Sequence, residues 1–287
     1  MNTFNLESII RENIKRLVPY SSARSEYNGD ASIFLDANEN SFGSPILNGY
    51  NRYPDPLQNA LKEKISAIKG IPVNKIFLGN GSDEAIDLLI RATCYPSRDN
   101  ILVLPPTYGM YEVAAKINDV LVKKINLTAN FQPDVTTILN AIDNNTKLIF
   151  ICTPNNPTGN SIDRSSIEML LKSFKGLLIV DEAYIDFADE VTWIQQLNNY
   201  PNLVVLQTLS KAWGLAGLRV GAAYASTAVI DVLNKIKAPY NISIASQELA
   251  LKALKEDTTI QKWTNTIKQQ RQILSNELRQ FSFISEI

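Results

Sequence analysis

The residues of this chain that are best suited to chemistry stand at the ends of three short apolar runs. Residues 147–152, 177–180 and 203–207 are rich in aliphatic side chains, and they are followed by PNNPTG at 154–159, DEAY at 181–184 and TLSK at 208–211. Each cluster alone is also what a turn, a helix cap or a surface carries. Because parallel strands end at one edge of a sheet, the three clusters, with Arg219 eight positions after Lys211, together predict one shared pocket.

The absence of histidine limits the chemistry of that pocket. Without a histidine in the sequence, Ser-His-Asp and Cys-His nucleophiles, His-ligated zinc and imidazole acid–base catalysis are excluded. Cys94 and Cys152 are too few and too far apart to indicate a disulfide scaffold, and we interpret them as reduced core thiols. No metal site is predicted, so catalysis must use lysine, tyrosine, carboxylates or an organic cofactor.

The elements that position these residues alternate between strands and helices. Apolar, β-branched runs predict strands at 75–78, 100–104, 120–125, 147–152, 177–180, 203–207 and 219–225. Apolar residues at spacings of three and four predict helices between most of them, at 82–93, 108–117, 135–142 and 165–174. This alternation predicts an α/β domain with a mostly parallel, seven-stranded sheet between helices.

The two ends of the chain follow a different pattern. A short helix at 5–17 and a strand-like segment at 32–35 are placed outside the main sheet, and helices are predicted at 243–254 and 258–281, followed by a strand-like end at 282–287. We therefore divide the chain into an amino-terminal arm with part of a small domain (1–40), a large domain (41–240) and the start of a small α+β domain (241–287). A strand directly after a long helix and without a partner indicates that this small domain is incomplete.

Charge and hydropathy favour a small-molecule partner. The 28 basic and 29 acidic residues give a net charge of −1, which provides no basic excess for nucleic acid or an anionic membrane. The first twenty residues lack the apolar core of a signal peptide, and no apolar run reaches membrane-spanning length. We expect a soluble, cytoplasmic protein.

The order of the motifs resembles that of the fold type I aminotransferases that depend on pyridoxal 5'-phosphate (PLP). PNNPTG (154–159), DEAY (181–184) and TLSKAWGLAGLRVG (208–221) occur in the same order, and LDANENSFG (35–43), NRYPDP (51–56) and GNGSDEAID (79–87) are similar to the histidinol-phosphate aminotransferase branch. The resemblance implies the fold type I architecture, PLP as cofactor, a homodimer with shared active sites, and amino transfer between L-histidinol phosphate and 2-oxoglutarate in histidine biosynthesis.

The chemistry of PLP suggests roles for two residues, and the resemblance suggests two more. The aldehyde needs an amine, so we expect Lys211 to form the Schiff base and then to act as the base, with partial burial and nearby positive charge lowering its pKa. The ring nitrogen needs a carboxylate partner, for which Asp181 is placed. The resemblance assigns the cofactor's phenolic oxygen to Asn156 and Tyr184, and Asn155 is interpreted as a turn residue.

The remaining candidate residues surround the phosphate, the ring and the substrate. Gly81, Ser82 and Asp83 enter a helix, where free N–H groups suit a dianion, and Ser210 and Arg219 complete that shell. The resemblance implies that Tyr108 stacks on the cofactor, that Tyr53 reaches the phosphate of the partner subunit, that Tyr20 and Asn38 lie beside the substrate, and that a substrate-binding arginine belongs to a region after residue 287.

Alternative functions stay open at this stage. Aromatic amino-acid transamination and phosphothreonine decarboxylation use the same lysine and aspartate on the same fold. An inactive PLP-binding fragment or a PLP-sensing regulator would also contain these motifs.

Overall fold

A seven-stranded mixed sheet forms the centre of the molecule. The computed structural model describes residues 4–20, 33, 36–46 and 49–284. The strands are β1 (Ile76–Asn80), β2 (Asn100–Val103), β3 (Leu121–Lys124), β4 (Thr146–Cys152), β5 (Leu177–Asp181), β6 (Leu203–Thr208) and β7 (Val220–Tyr224). Their order is β1-β7-β6-β5-β4-β2-β3, and β7 alone pairs antiparallel, with β1 and with β6. The predicted mostly parallel sheet is confirmed.

Helices cover both faces of this sheet. They are α1 (Glu12–Arg16), α2 (Asn59–Lys69), α3 (Ser82–Thr93), α4 (Met110–Ile117), α5 (Val135–Ala141), α6 (Arg164–Ser173), α7 (Thr227–Ile236), α8 (Ile244–Ala253) and α9 (Asp257–Leu278). Alternate residues of one strand enter different cores: Ile149 and Ile151 of β4 belong to the core with α2, α5, α6 and α8, and Leu148 and Phe150 to the core with α3, α4 and α7. This burial on both faces explains why β4 to β6 read as continuous apolar runs.

The largest departure from the sequence prediction is at the amino terminus. The helix predicted over 5–17 is two pieces, a 3₁₀ turn at Leu6–Ser8 and α1, because Arg11 has an extended backbone. Its N–H donates to the carbonyl of Ala92 at the end of α3, 2.9 Å away. This tertiary contact satisfies the donor that a continuous helix would satisfy internally.

Two further segments also differ from the prediction. Residues 282–284 form a turn and not a strand, because the Ile284 N–H closes back on the carbonyl of Phe281 at 3.1 Å. Helix α2 was not among the predicted elements, although Leu61 and Ile65 are buried at the helical spacing of four. The strand-like segment predicted at 32–35 lies outside the described residues except for Ile33, which is exposed.

The helices also bear on membrane association. In the part of the chain that the structure describes, no helix combines the length and the apolar character needed to cross a bilayer.

The long helix α9 is amphipathic. Its Lys268 donates to the carboxylate of Asp189 at 2.5 Å and to the carbonyl of Ala188 at 3.0 Å. It is therefore attached to the loop that follows the DEAY segment.

Candidate active site

A cavity opens at the carboxyl ends of β4, β5 and β6, where the three polar clusters meet. It is lined by Gly81, Ser82, Asp83, Tyr108, Cys152, Asn156, Asp181, Ala183, Tyr184, Thr208, Ser210, Lys211 and Arg219. Ten of the thirteen candidate site residues, all except Tyr20, Asn38 and Tyr53, are in this set. The shared pocket expected from strand polarity is therefore present as a single space.

Asp181 is the buried acid of this cavity. It ends β5 and is 2% exposed, and its two carboxylate oxygens have different donors: Tyr111 Oη at 2.6 Å from Oδ2 and the Ala183 N–H at 3.1 Å from Oδ1. Burial raises the pKa of Asp181, while the Tyr111 hydroxyl and the Ala183 N–H stabilise the ionised form and oppose that shift. The two donors therefore favour the charged form of a carboxylate whose burial disfavours it.

Tyr111 is the site residue that the sequence analysis missed. It lies in the first turn of α4, has no solvent exposure, and stacks on Phe150 with ring centroids 4.7 Å apart. The available signal was its spacing: Tyr111 follows Tyr108 by three positions, which puts both rings on one face of a helix start. Their rings meet edge to face at 5.5 Å.

The loop between β1 and α3 packs tightly against β7 and Arg219. Gly81 donates its N–H to the carbonyl of Arg219 at 2.8 Å and has φ 75°, which residues with a side chain rarely adopt; a Cβ there would lie 2.6 Å from Arg219 Nη2, so the guanidinium would have to move. Gly221 on β7 faces the same loop, and a Cβ there would lie 2.1 Å from the Ser82 nitrogen. Two glycines thus allow the backbone of this loop to sit beside the guanidinium of Arg219.

Arg219 and Asp83 form the charged rim of this loop. Arg219 has a left-handed backbone, φ 55°, at the end of the 3₁₀ turn Ala216–Leu218. Its Nη2 lies 3.6 Å from Asp83 Oδ2, and Asp83 Oδ1 accepts from Tyr108 Oη at 3.1 Å. Burial, followed by the Asp83 carboxylate, raises the pKa of Tyr108 to about 12, so this phenol stays a hydrogen-bond donor. The Asp83 side chain therefore orients Arg219 and Tyr108, and its backbone N–H belongs to the helix start.

Lys211 differs from its expectation in one respect. It lies in the turn after β6, where Gly214 donates to its carbonyl at 3.0 Å, and its Nζ is 5.2 Å from the centre of the Tyr184 ring. The side chain is exposed and not partly buried as expected, because Lys211 lies in a turn beyond the end of β6 and not within the sheet. Arg219 lines the same cavity, with its Nη2 3.6 Å from the Asp83 carboxylate.

The two asparagines of the PNNPTG turn are separated by burial. Asn155 is 4% exposed and donates to Pro106 O at 2.9 Å and to Thr158 Oγ1 at 2.7 Å, which ties this turn to the loop before Tyr108. Asn156 lines the cavity. The interpretation of Asn155 as a turn residue agrees with these contacts.

Three candidate residues lie away from the cavity within this chain. Tyr20 is 74% exposed, Asn38 is exposed with φ 51°, and Tyr53 stacks on Tyr240 with centroids 4.5 Å apart. None of the three lines the cavity formed by the described residues. Their expected roles beside the cofactor and the substrate therefore stay predictions.

Comparisons with known proteins place this site in a family. The model for aminotransferases of class I and II matches residues 33–285. The chain belongs to the aminotransferase class I and II family. It is therefore a PLP-dependent aminotransferase, and the resemblance stated from its motifs is confirmed.

Individual relatives are similar over most of their length. Histidinol-phosphate aminotransferases from Cytophaga hutchinsonii and Flavobacterium johnsoniae are 54% and 52% identical, over 99% and 100% of this chain and 82% of each relative. The crystal structure of the histidinol-phosphate aminotransferase from Clostridium acetobutylicum has a TM-score of 0.74 and 28% identity, covering 82% of this chain and 70% of that one. The fold type I architecture is confirmed.

The residues of this aminotransferase fit the cofactor by their chemistry. A buried carboxylate suits a protonated ring nitrogen, a guanidinium beside a helix start without side-chain bulk suits a phosphate dianion, and a primary amine at the mouth suits an aldehyde. These three groups line one cavity. The arrangement matches the three functional groups of PLP.

Proposed function

We propose that the chain is a histidinol-phosphate aminotransferase, which transfers the amino group of L-histidinol phosphate to 2-oxoglutarate in histidine biosynthesis. The observation that carries this proposal is the 54% identity to a relative of that name over 99% of the chain. The cavity at the ends of β4 to β6 supplies the groups that the reaction needs. When bound, PLP supplies the aldehyde that accepts the amino group and a ring that takes up the electrons of the broken Cα–H bond.

Lys211 and Asp181 have the central roles in this proposal. Lys211 provides the amine that holds the aldehyde and afterwards the base that takes the proton from the substrate α-carbon. Its exposed position at the mouth leaves Nζ free to reach both partners. Asp181, beneath it in the cavity, holds a proton on the ring nitrogen by charge and hydrogen bonding.

The other lining residues bind and orient. Arg219, Ser210 and the loop residues Gly81, Ser82 and Asp83 hold the phosphate, Asn156 and Tyr184 donate to the phenolic oxygen, and Tyr108 stacks on the ring. The contacts that support these roles are the ion pair of Arg219 with Asp83 and the hydrogen bond from Tyr108 to the same carboxylate. Both fix side chains that would otherwise rotate freely at a half-exposed rim.

We further propose a cytoplasmic homodimer with shared active sites and the domain division 1–40, 41–240 and 241–287. Exposed apolar side chains cluster in the segment that carries Tyr53, namely Phe42, Ile46, Tyr53 and Leu57, as an interface requires. The turn after Tyr53 is firmly held, since Lys237 Nζ donates to Pro56 O at 2.7 Å. In this proposal Tyr53 reaches the partner's phosphate, and Tyr20 and Asn38 lie beside the substrate.

The first test is cofactor binding and its dependence on Lys211. Purified wild-type protein mixed with PLP is expected to develop the visible absorbance band of lysine-bound cofactor, and Lys211→Ala to lack it. Lys252→Ala, which removes a lysine of α8 outside the cavity lining, is the matched control and should keep the band. A wild type without the band, or an undiminished band in Lys211→Ala, contradicts the proposal.

The second part of the test concerns the substrate. Single-turnover rates with L-histidinol phosphate, L-phenylalanine and O-phospho-L-threonine separate the proposed activity from aromatic transamination and from decarboxylation. We expect conversion of L-histidinol phosphate to be fastest by at least about tenfold. Carbon dioxide release from O-phospho-L-threonine, or faster turnover of the aromatic donor, would assign the chain to an alternative.

A further inference from the structure

The hydrogen bond between Tyr111 and Asp181 joins residues that are far apart in the sequence and have no common element. Tyr111 Oη lies 2.6 Å from Asp181 Oδ2, and both residues are almost fully buried, at 0% and 2% exposure. The hydroxyl is one of two donors to the carboxylate among the described residues, and the other is the backbone N–H of Ala183.

The ring of Tyr111 has little freedom to move. It stacks on Phe150 of β4 at an interplanar angle of 17° and meets the ring of Tyr108 at 83°. Cys152, whose thiol pKa is raised to about 12 by burial, also lies within hydrogen-bond reach of the phenol. The hydroxyl is thus aimed at Asp181 by packing on two sides.

Burial alone would work against the charge on Asp181. A carboxylate removed from water is stabilised as the neutral acid unless donors compensate, and a neutral acid cannot balance a protonated ring nitrogen. The Ala183 N–H is part of the backbone and is retained in every substitution except that by proline. The Tyr111 hydroxyl is therefore the neutral side-chain donor that favours the ionised form of Asp181; of the charged groups nearby, the Lys211 ammonium acts in the same direction and the Asp83 carboxylate in the opposite one.

We propose that Tyr111 is a positioning residue for the cofactor's ring-nitrogen partner: it keeps Asp181 ionised and fixes which carboxylate oxygen is turned towards the cavity. This inference rests on the proposed function, since it assumes that Asp181 faces the ring nitrogen of PLP. Tyr111 does not itself line the cavity, so the inference assigns a role in cofactor binding to a residue outside the lining. Loss of the hydroxyl favours the neutral form of Asp181 and thereby weakens cofactor binding.

The variant Tyr111→Phe tests this inference, because it keeps the ring and removes only the hydroxyl. We expect the dissociation constant of PLP at neutral pH to rise by at least about tenfold, as for the loss of a hydrogen bond to a charged group. The acid limb of the binding curve against pH should move up by about one unit or more, because Asp181 takes up a proton more readily. Binding is measured by the quenching of tryptophan fluorescence, independently of turnover.

Tyr224→Phe is the matched control. Tyr224 is also a fully buried tyrosine, 2% exposed, but it lies on β7 and outside the cavity lining. Its variant should bind PLP with the wild-type affinity and pH dependence. If Tyr111→Phe behaves like Tyr224→Phe in both respects, the inference is wrong and Tyr111 is a packing residue.

A double-mutant cycle with Asp181→Asn shows whether Tyr111 acts through the carboxylate. In the Asp181→Asn background, Tyr111→Phe should have little further effect on PLP affinity. Full additivity of the two changes would overturn the inference. If Tyr111→Phe does not fold, Phe150→Leu is used instead, because it removes the ring on which Tyr111 stacks. The acid limb of the PLP-binding curve is expected to shift in the same direction. An unshifted acid limb in Phe150→Leu would contradict the inference.

The proposed function and this inference fail in different ways. If wild-type protein does not bind PLP, the function itself is wrong. If the wild type binds PLP with a Lys211-dependent band and Tyr111→Phe changes neither the affinity nor the pH profile, only the inference is lost.

Discussion

At the scale of single residues, the site depends both on residues that the sequence makes conspicuous and on residues that it does not. Lys211, Asp181 and Arg219 are charged residues after strands and attract attention at once. Tyr111 and Gly221 do not, although one donates to the buried carboxylate and the other lets the β1–α3 loop approach β7. The importance of both comes from close contacts with residues far away in the sequence: the spacing of Tyr111 from Tyr108 indicates a shared helix start but not the contact with Asp181.

Gly221→Ala is a prediction at this scale. The added Cβ would lie 2.1 Å from the Ser82 nitrogen and 2.3 Å from the Gly81 carbonyl carbon, both of which are backbone atoms that cannot rotate away. We expect a loss of about 3 kcal/mol in the free energy of unfolding, together with weaker PLP binding, because the loop must move. Urea denaturation and fluorescence titration measure the two effects.

Gly217→Ala provides the comparison for that variant. Nothing lies within 4 Å of a Cβ at Gly217, and its φ is not in the left-handed region. Its free energy of unfolding should stay within about 0.5 kcal/mol of the wild type. Equal losses in the two variants would mean that the close approach of β7 to the loop is not what requires glycine at residue 221.

At the scale of elements, the sheet edge positions the site and the helices attach distant segments to it. Strands β4, β5 and β6 run parallel and deliver their polar clusters to one edge, while β7 returns antiparallel and brings Arg219 back beside Gly81. Helix α2 packs against β1 and carries a buried lysine, Lys62, at 4% exposure. No hydrogen bond to its ammonium occurs among the residues described.

Lys62 gives a pH-dependent prediction for α2. Burial, followed by the ammonium of Lys237, lowers the pKa of Lys62 to about 8. Because its pKa is higher in the unfolded chain, that state binds more protons between about pH 8 and about pH 10.5, and stability rises with pH across this window. Below about pH 8 the buried Lys62 ammonium lowers the free energy of unfolding by its full amount, which is at most about 3 kcal/mol.

Lys62→Met should remove that penalty. We expect a higher free energy of unfolding than the wild type at about pH 7 and a smaller difference at about pH 9.5, both measured by urea denaturation. Lys64→Met, which changes a partly exposed lysine of the same helix, should differ little from the wild type at either pH. A wild type and Lys62→Met with parallel pH curves would show that Lys62 keeps its ordinary pKa.

At the scale of the whole molecule, one chain supplies most of a site and leaves some of its candidate residues outside. Tyr20, Asn38 and Tyr53 are exposed or packed away from the cavity, and the segment around Tyr53 exposes several large apolar side chains. A two-fold dimer would cover that surface and complete two equivalent sites at once. This assembly is a proposal that activity measurements on mixed subunits can test.

Subunit complementation is the prediction at this scale. Tyr53→Ala and Lys211→Ala proteins should each be nearly inactive, whereas a mixture that exchanges subunits should regain up to about a quarter of the wild-type activity, since each mixed dimer has one site without either change. Activity with L-histidinol phosphate before and after mixing provides the readout. Mixing Lys211→Ala with Asp181→Asn, two changes proposed for the same subunit's site, is the matched control and should stay inactive, because both sites of that mixed dimer carry a change.

The outcome that contradicts shared sites is specific. If the Tyr53→Ala and Lys211→Ala mixture stays inactive although native mass spectrometry shows that mixed dimers have formed, Tyr53 does not complete the partner subunit's site and the proposal of shared sites is wrong. If Tyr53→Ala alone keeps wild-type activity, Tyr53 has no role in either site and the proposed assembly of the site is wrong.

The sequence by itself determined the seven strands, most of the helices between them and ten residues of one cavity. Hydrophobic periodicity and turn residues are local properties, and the common polarity of parallel strands converts their order into a shared edge. The tertiary structure decided what depends on approach between distant segments: the broken helix at Arg11, the exposure of Lys211, the left-handed Arg219 beside Gly81, and the contact of Tyr111 with Asp181. These features follow from which segments pack together, and two residues seventy positions apart give no local signal that their side chains will meet.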